Sequence, residues 1–474
     1  MHIENIAWTE PHEMFYAFAH EPFALLLDSA TAKADAAPFS RWSFIALDPF
    51  DTVTIDNKQT GASNAQNPFD TLRNALELNS ITLPNDPALP PFTGGAAGFF
   101  SYDLACYLER LPDPVAPFAI DDQSLPAMAI GLYDTIIAFD HHQHRAQIIS
   151  NGLPETSPEA RTTRARHRAH DLRLRLNARN TYKCFQPKPC PPVKSNFTKG
   201  DYEKAVTRII DYIRAGDIFQ ANFAQRFEST LEEDDSAYDL YLRLRTLSPA
   251  PFSAFFNFGS GALVSSSPER FLFCRDGKVE TKPIKGTRPR GTTPERDATL
   301  AAELLASEKD HAENVMIVDL LRNDLSRVCA DHSVIVEHLC ALESFANVHH
   351  LVSTITGQLA TGMSAVDLLD KAYPGGSITG APKLRAMEII AELEPTTRGP
   401  YCGSIGYVGF DGTMDTSITI RTMIVKDRRV TFQAGGGITA DSVPANEYTE
   451  SLDKADAMMR ALGPVEIRHD HADR

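Results

Sequence analysis

Two acidic pairs and a lysine are the first residues in this sequence whose types and spacing could do chemistry. In "SEKDHAENVMIVDLLRNDLSRV" (307–328), Asp310 and Glu313 lie three apart, which places both carboxylates on one face of a helix. In "EYTESLDKADAMMRAL", Glu447 and Glu450 repeat that spacing, and Lys454 follows one turn later. Two readings stand. Carboxylates in a first helical turn complement the helix dipole, or two helix ends meet and their carboxylates hold a divalent cation. Hard oxygen ligands suit magnesium, which keeps waters and takes its remaining oxygens from an anionic substrate.

The lysine lies in "ETKPIKGTRPRG" (280–291). Pro283, Gly286 and Pro289 exclude a regular helix, so the stretch reads as a strand entering a glycine turn. On a period-two pleat Lys282 and Lys285 point to opposite faces. One is solvated and the other enters the protein, either salt-bridged or chemically active. Further anion-binding groups follow. "PGGSITGAPK" (374–383) opens a helix with small residues and free backbone amides. Arg421, in "ITIRTMIV", faces inward or pairs with a carboxylate. "FQAGGGITADS" places glycines at a strand end, where backbone amides can meet a carboxylate. Together these groups suit a small dicarboxylate with magnesium.

The elements that must position these groups are strands joined by short turns, such as "FALLLDSA", "RWSFIALDP" and "YDTIIAFD", with helices near 66–78 and 157–178. This pattern predicts an α+β fold with large antiparallel sheets. "CFQPKPCPPVKSNFTKGD" is rich in proline and reads as an extended connector over 181–196. It separates an N-terminal unit, 1–180, from a motif-dense unit, 197–465. Helix 307–328 is expected to bury Val315, Val318, Leu321 and Leu325.

With 474 residues, 43% hydrophobic and 23% charged, the chain has the composition of a soluble globular protein. The formal net charge of −16 argues against nucleic acid as a partner. No apolar run reaches membrane-spanning length, and "MHIENIAWTEPHEMF" lacks the pattern of a signal peptide. Seven scattered cysteines predict reduced thiols and a cytoplasmic location. Cys184 and Cys190 have no second pair, so no zinc site is expected. The basic run 159–179 reads as a helix with a solvated face. "DHHQHRA" (140–146) reads as a hairpin turn rather than a metal site.

"SSSPERFL", "PIKGTRPRG", "DHAENVMIVDLLRNDLSRV", "VHHLVSTITG", "PGGSITGAPKLRAMEII", "GSIGYVGFDG" and "GGGITADSVPANEYTES" occur in that order. In this the sequence resembles the chorismate-utilising enzymes over nearly its whole length. "LLLDS", "RWSF" and "GGAAGFFSYDLACYLERLP" resemble the members that aminate chorismate. The resemblance implies the fold of anthranilate synthase component I, a sandwich-like core of antiparallel sheets flanked by helices. It assigns Glu313 and Glu450 as Mg2+ ligands, with Asp310 and Glu447 beside them through water. It places Arg421, Tyr407 and the backbone of Gly435, Gly436 and Gly437 on one substrate carboxylate, and Lys454 near the carboxylate on the metal. Thr379 and Gly380 would line the pocket, His350 would lie by the ring, and Glu269 would be the general acid/base for the 4-hydroxyl.

Members that form anthranilate carry "PIAGT"; those that aminate C4 carry "PIKGT", as here. The resemblance thus implies that Lys285 attacks C2 of chorismate, that ammonia adds at C4, and that 4-amino-4-deoxychorismate leaves for para-aminobenzoate and folate synthesis. A lysine of pKa about 10.4 is only roughly 0.04% neutral at pH 7, so a nucleophilic Lys285 must be desolvated or set beside other cations. Members that add water use a lysine base where this sequence has Gln220, which favours ammonia. The ammonia would come from solution or from a separate glutamine amidotransferase subunit. By resemblance Asp28, Ser29, Pro249 and Phe252 mark a tryptophan pocket, open to a structural tryptophan or to plain packing. Two other readings are an anthranilate-forming enzyme and a silent homologue that binds only its amidotransferase.

Overall fold

The computed structural model describes residues 1–31, 39–57, 67–83, 86, 88–108, 120–178, 192–344 and 348–463. Two antiparallel sheets dominate them. The first, twelve-stranded, runs His2–Ile6, Arg145–Ser150, Thr135–Asp140, Trp42–Ala46, Leu25–Asp28, Phe252–Asn257, Ala262–Ser267, Thr422–Lys426, Arg429–Ile438, Gln220–Thr230, Gly380–Ala381, with Lys194–Ser195 also paired to Gln220–Thr230. The second, ten-stranded, runs Ile284–Pro289, Val348–Gln358, Lys278–Thr281, Arg270–Arg275, Met414–Ile418, Ser404–Gly409, Gly95–Phe100, Pro126–Tyr133, Asp51–Asp56, with Ile335–Ser344 on Val348–Gln358.

The layering follows from side-chain alternation. All six residues of "TIIAFD" are buried. Ile137 and Phe139 join the core beneath the outer helices, whereas Ile136 and Ala138 join the core between the sheets. In the same way Ala97 and Phe99 face the intersheet core, and Ala96 and Phe100 face the helices over the second sheet. A strand covered on both faces needs apolar residues at both parities, and each such side chain contributes about 2 kcal/mol of burial. The result is an α+β sandwich flanked by helices, as expected.

The two halves of the sequence share both sheets. Leu25–Asp28 pairs with Phe252–Asn257 in one, and Gly95–Phe100 pairs with Ser404–Gly409 in the other. Residues 181–191 of the expected connector, with Cys184 and Cys190, lie outside the described residues; Lys194–Ser195 already belongs to a sheet.

Helices expected near 66–78 and 157–178 are Pro68–Leu78 and Pro158–Asn177, capped by the side chains of Asn67 and Ser157. The basic helix has the expected solvated face, with Arg166, His167, His170 and Arg173 exposed. Its other face buries Ala165, Ala169, Leu172 and Leu176, and four of its arginines are paired: Arg164 and Arg168 with Asp134, Arg173 with Glu4, Arg175 with Glu21. Helix Glu308–Ser326 is capped by Ser307, but its buried stripe is Asn314, Ile317, Val318, Leu321 and Leu325. Val315 is 46% exposed, because the stripe lies one residue further round the helix. Residues 141–144 turn the hairpin between Thr135–Asp140 and Arg145–Ser150. There His144 stacks on Trp8 and His141 meets the Ser43 hydroxyl.

Candidate active site

Lys285 sits on the strand Ile284–Pro289, where a bulge falls between Lys285 and Thr287. Gly286 makes the bulge at φ +78°, and a Cβ there would meet Asp310 Cγ at 2.9 Å. Only glycine satisfies both conditions without strain. The two lysines of this stretch part, but neither stands in the solvent expected for one of them: Lys282 lies between two strands with 13% of its side chain exposed. Lys282 bonds Glu343 at 2.7 Å, whereas half-buried Lys285 donates to the Ser377 carbonyl at 3.1 Å. Burial lowers the Lys285 pKa below the ordinary lysine value, against the pull of Glu313 and Glu269.

Glu269 is 6% exposed and accepts from the Ser377 hydroxyl at 2.8 Å. Burial raises its pKa, while Lys285 and Ser377 oppose the rise. Both shifts favour neutral forms, so the pair is biased toward free amine and carboxylic acid. The sequence did not mark Ser377, whose carbonyl and hydroxyl hold both partners. Its signal was adjacency to the glycines of "PGGSITG".

The acidic helices behave as a set. Helix Pro444–Leu462 begins three residues before the expected Glu447, because Pro444 starts a helix readily. Glu447 is buried and accepts from Ser442 at 2.7 Å. Glu450 pairs with Lys454 at 2.7 Å, and Lys454 also donates to the Gly435 carbonyl at 2.9 Å. A Cβ on Gly436 would stand 3.2 Å from Glu450, 3.3 Å from Glu447 and 3.5 Å from Lys454. Burial raises the pKa of Glu313, with Asp310 and Glu450 adding to the rise, and likewise that of Glu447, with Glu450 adding. Against burial, Lys454 holds Glu450 below its ordinary value. Asp310 accepts from Arg288 at 3.3 Å. Among the described residues no three acidic, histidine or cysteine side chains converge on one point. The carboxylates come as two facing pairs of hard oxygen donors.

Arg421 has φ +49° and ends the strand pairing there. Thr422–Lys426 pairs with the following strand only as far as Phe432, so the second edge of Gly435–Gly437 faces no strand among the described residues. Burial alone lowers the Arg421 pKa, and no carboxylate among the described residues offsets it. A half-buried guanidinium without a carboxylate has the geometry to take one in a bidentate pair. His350, 4% exposed, bonds Thr287 at 2.9 Å and is held down to about 4 by burial and by Arg421, so its ring is neutral.

Tyr407 is not with them. Its ring lies in the intersheet core, stacked on Phe92 at 4.4 Å and edge-on to Phe44, because its parity on Ser404–Gly409 faces inward. The "PGGSITGAPK" segment forms a 3₁₀ turn, Gly376–Ile378, and a two-residue strand before its helix starts at Lys383. Buried Thr379 turns its hydroxyl onto the Gly375 carbonyl at 2.8 Å. Gly380 lies directly against the Gln220 carbonyl. Gln220 is 1% exposed; its amide nitrogen covers Gly437, and its Oε1 has no hydrogen-bond partner.

The residues expected of a tryptophan pocket are otherwise engaged. Asp28 accepts from Ser43 on one oxygen and from Tyr241 and Arg245 on the other. Ser29 bonds the carbonyls of Phe39 and Trp42, Phe252 packs on Phe39, and Pro249 is exposed. Both Asp28 oxygens thus accept hydrogen bonds from within the protein.

The sheets and this cluster of lysines, carboxylates and an unpaired arginine define an enzyme class: the chain belongs to the chorismate binding enzyme family, whose model matches residues 23–460. It is 40% identical to aminodeoxychorismate synthase component 1 of Escherichia coli (strain K12), over 97% of this chain and 98% of that one. It is also 38% identical to anthranilate synthase component 1 of Mycolicibacterium smegmatis, over 94% and 86%. The crystal structure of anthranilate synthase component I from Streptococcus pneumoniae TIGR4 matches 90% of this chain and 93% of its own, with a TM-score of 0.76 at 33% identity. No helix among the described residues is long and apolar enough to cross a membrane.

Proposed function

We propose that this enzyme is an aminodeoxychorismate synthase component 1, which aminates chorismate at C4 to give 4-amino-4-deoxychorismate. The carrying observation is the pairing of Lys285 and Glu269 through Ser377. Neutral Lys285 attacks C2; the ring double bonds shift, and the C4–O bond breaks as Glu269 gives its proton to the departing hydroxyl, which leaves as water. Ammonia then adds at C4, the double bonds shift back, and the C2–N bond to Lys285 breaks. Glu269 recovers a proton from the added ammonia. The unpaired Arg421 and the free edge of Gly435–Gly437 suit one substrate carboxylate. Gln220 holds no proton-accepting base at neutral pH, which favours ammonia over water.

The donor chemistry of the acidic pairs fits magnesium: four hard-oxygen groups, two of them, Glu313 and Glu447, raised in pKa by burial and by neighbouring carboxylates. Glu313 and Glu450 would hold the ion, with Asp310 and Glu447 through water. Bound there, it would neutralise the second substrate carboxylate. A separate glutamine-hydrolysing subunit as ammonia source accords with the "component 1" of the relatives' names. The product would feed para-aminobenzoate and folate synthesis in the cytoplasm.

The test is to incubate the purified chain with chorismate, magnesium and ammonium and identify the product by mass. 4-Amino-4-deoxychorismate without pyruvate supports the reading. Anthranilate with pyruvate assigns the enzyme to the other branch, and no turnover leaves only a chorismate-binding fold.

A further inference from the structure

Next to the turn that carries Ser377 lies a buried ion pair that the reaction above does not use. Arg398 is 2% exposed in its side chain and Glu394 5%. Glu394 ends the helix Lys383–Leu393, and Arg398 lies in the segment beyond it. The pair is bidentate: Arg398 Nε to Glu394 Oε2 at 2.9 Å, and a terminal nitrogen to Oε1 at 2.7 Å.

The remaining donors reach backbone. One terminal nitrogen of Arg398 gives a bond to the Ile378 carbonyl at 3.1 Å, and the other to the Asn222 carbonyl at 2.6 Å. Glu394 Oε1 accepts from the Ala224 amide at 3.0 Å. The Arg398 carbonyl accepts from Gln433 at 3.0 Å. Asn222 in turn gives its amide to the Thr379 carbonyl at 2.8 Å. One guanidinium therefore fixes the glycine turn carrying Ser377 against Gln220–Thr230, the strand whose Ala224, Phe223 and Asn222 pair with Gly435, Gly436 and Gly437.

A buried ion pair of this kind adds little net stability over apolar packing of the same volume. Lysine could supply the charge, but not a planar fork that meets a carboxylate and two carbonyls together. We propose that Arg398, with Glu394, is a positioning residue for catalysis: it sets the distance between the Ser377 anchor of Lys285 and Glu269 and the glycine strand that would face the substrate carboxylate. The inference rests on the amination reading above, and it concerns a residue that touches neither substrate nor Lys285.

The test uses the full chain with Arg398→Lys, and Glu394→Gln as a second variant should the first not fold. Steady-state kinetics with chorismate and ammonium are combined with peptide-resolved hydrogen exchange of the ligand-free enzyme. The expected result is a kcat about 100-fold lower with KM for chorismate within about threefold, and faster exchange confined to peptides spanning 220–226 and 374–382. Unchanged kcat in a variant with those peptides loosened overturns the proposal. So does faster exchange across the whole chain with activity lost only in proportion to folded protein, which is the outcome of a purely structural role. If wild-type enzyme does not aminate chorismate, the functional reading fails by itself, and local exchange still reports whether Arg398 clamps the two segments.

Discussion

Lys285 and Glu269 are held by the same residue: the Ser377 carbonyl accepts from the lysine at 3.1 Å, and the Ser377 hydroxyl donates to the glutamate at 2.8 Å. Desolvation moves the two pKa values toward each other, lysine down and glutamate up. Desolvation thus biases both groups toward the neutral forms that the proposed displacement consumes.

Removing either partner should stop amination by different amounts. Lys285→Ala is expected to abolish 4-amino-4-deoxychorismate, whereas Glu269→Gln should lower kcat about 10²- to 10⁴-fold, the usual worth of a general acid. Product analysis by mass spectrometry checks both. Wild-type rates in Lys285→Ala would remove the covalent step.

The pH dependence follows from Ser377. Its hydroxyl stabilises the ionised form of Glu269 and so holds that pKa down. Ser377→Ala should raise it further and carry the activity limb on which Glu269 loses its proton to higher pH, by about one to two units for a hydrogen bond to a charge. The stability sign is separate. A carboxyl whose folded pKa lies above its unfolded value binds more protons when folded, so its contribution to stability falls as pH rises through that window. Glu269→Gln should therefore melt higher than wild type at neutral pH, by thermal unfolding measured against pH.

Arg421 and Arg398 should respond in opposite ways to loss of charge. Arg421 has no carboxylate to strand, so Arg421→Met should leave the melting temperature of ligand-free enzyme unchanged or higher. It should weaken chorismate binding by about 2–3 kcal/mol, roughly 30- to 150-fold. Arg398→Met leaves Glu394 buried and unpaired, at a cost of about 3–5 kcal/mol. Calorimetry with titration of chorismate separates the two; equal destabilisation would contradict this account.

Gly286→Ala should cost about 1–3 kcal/mol in chemical denaturation, because φ +78° is strained for alanine and its Cβ meets Asp310. Activity should fall further than stability alone explains, since Lys285 precedes the bulge.

If the acidic pairs hold magnesium, adding it at a hundred times its dissociation constant should raise unfolding stability by about 2.7 kcal/mol. Glu313→Gln should erase most of that gain. An equal shift in wild type and variant would move the metal elsewhere.

Much of this protein was legible in its sequence because the relevant spacing is local. Helical periodicity placed Asp310 with Glu313 and Glu447 with Glu450, and the prolines and glycine around Lys285 marked its stretch as a strand entering a turn. The failures share one cause, which is that burial parity and pairing depend on distant segments. Tyr407 and Arg421 both sit in apolar strand sequence, yet one ring is fixed between two sheets while the other side chain stands at a strand's free edge. Arg398 has Glu394 four residues before it, whereas Arg421 meets no carboxylate among the described residues, and only the fold shows that the first pair is buried. The sharing of both sheets by the two halves of the chain, and the meeting of Lys285, Glu269 and Ser377 from three separate segments, were decided by long-range strand register, which no window of neighbouring residues contains.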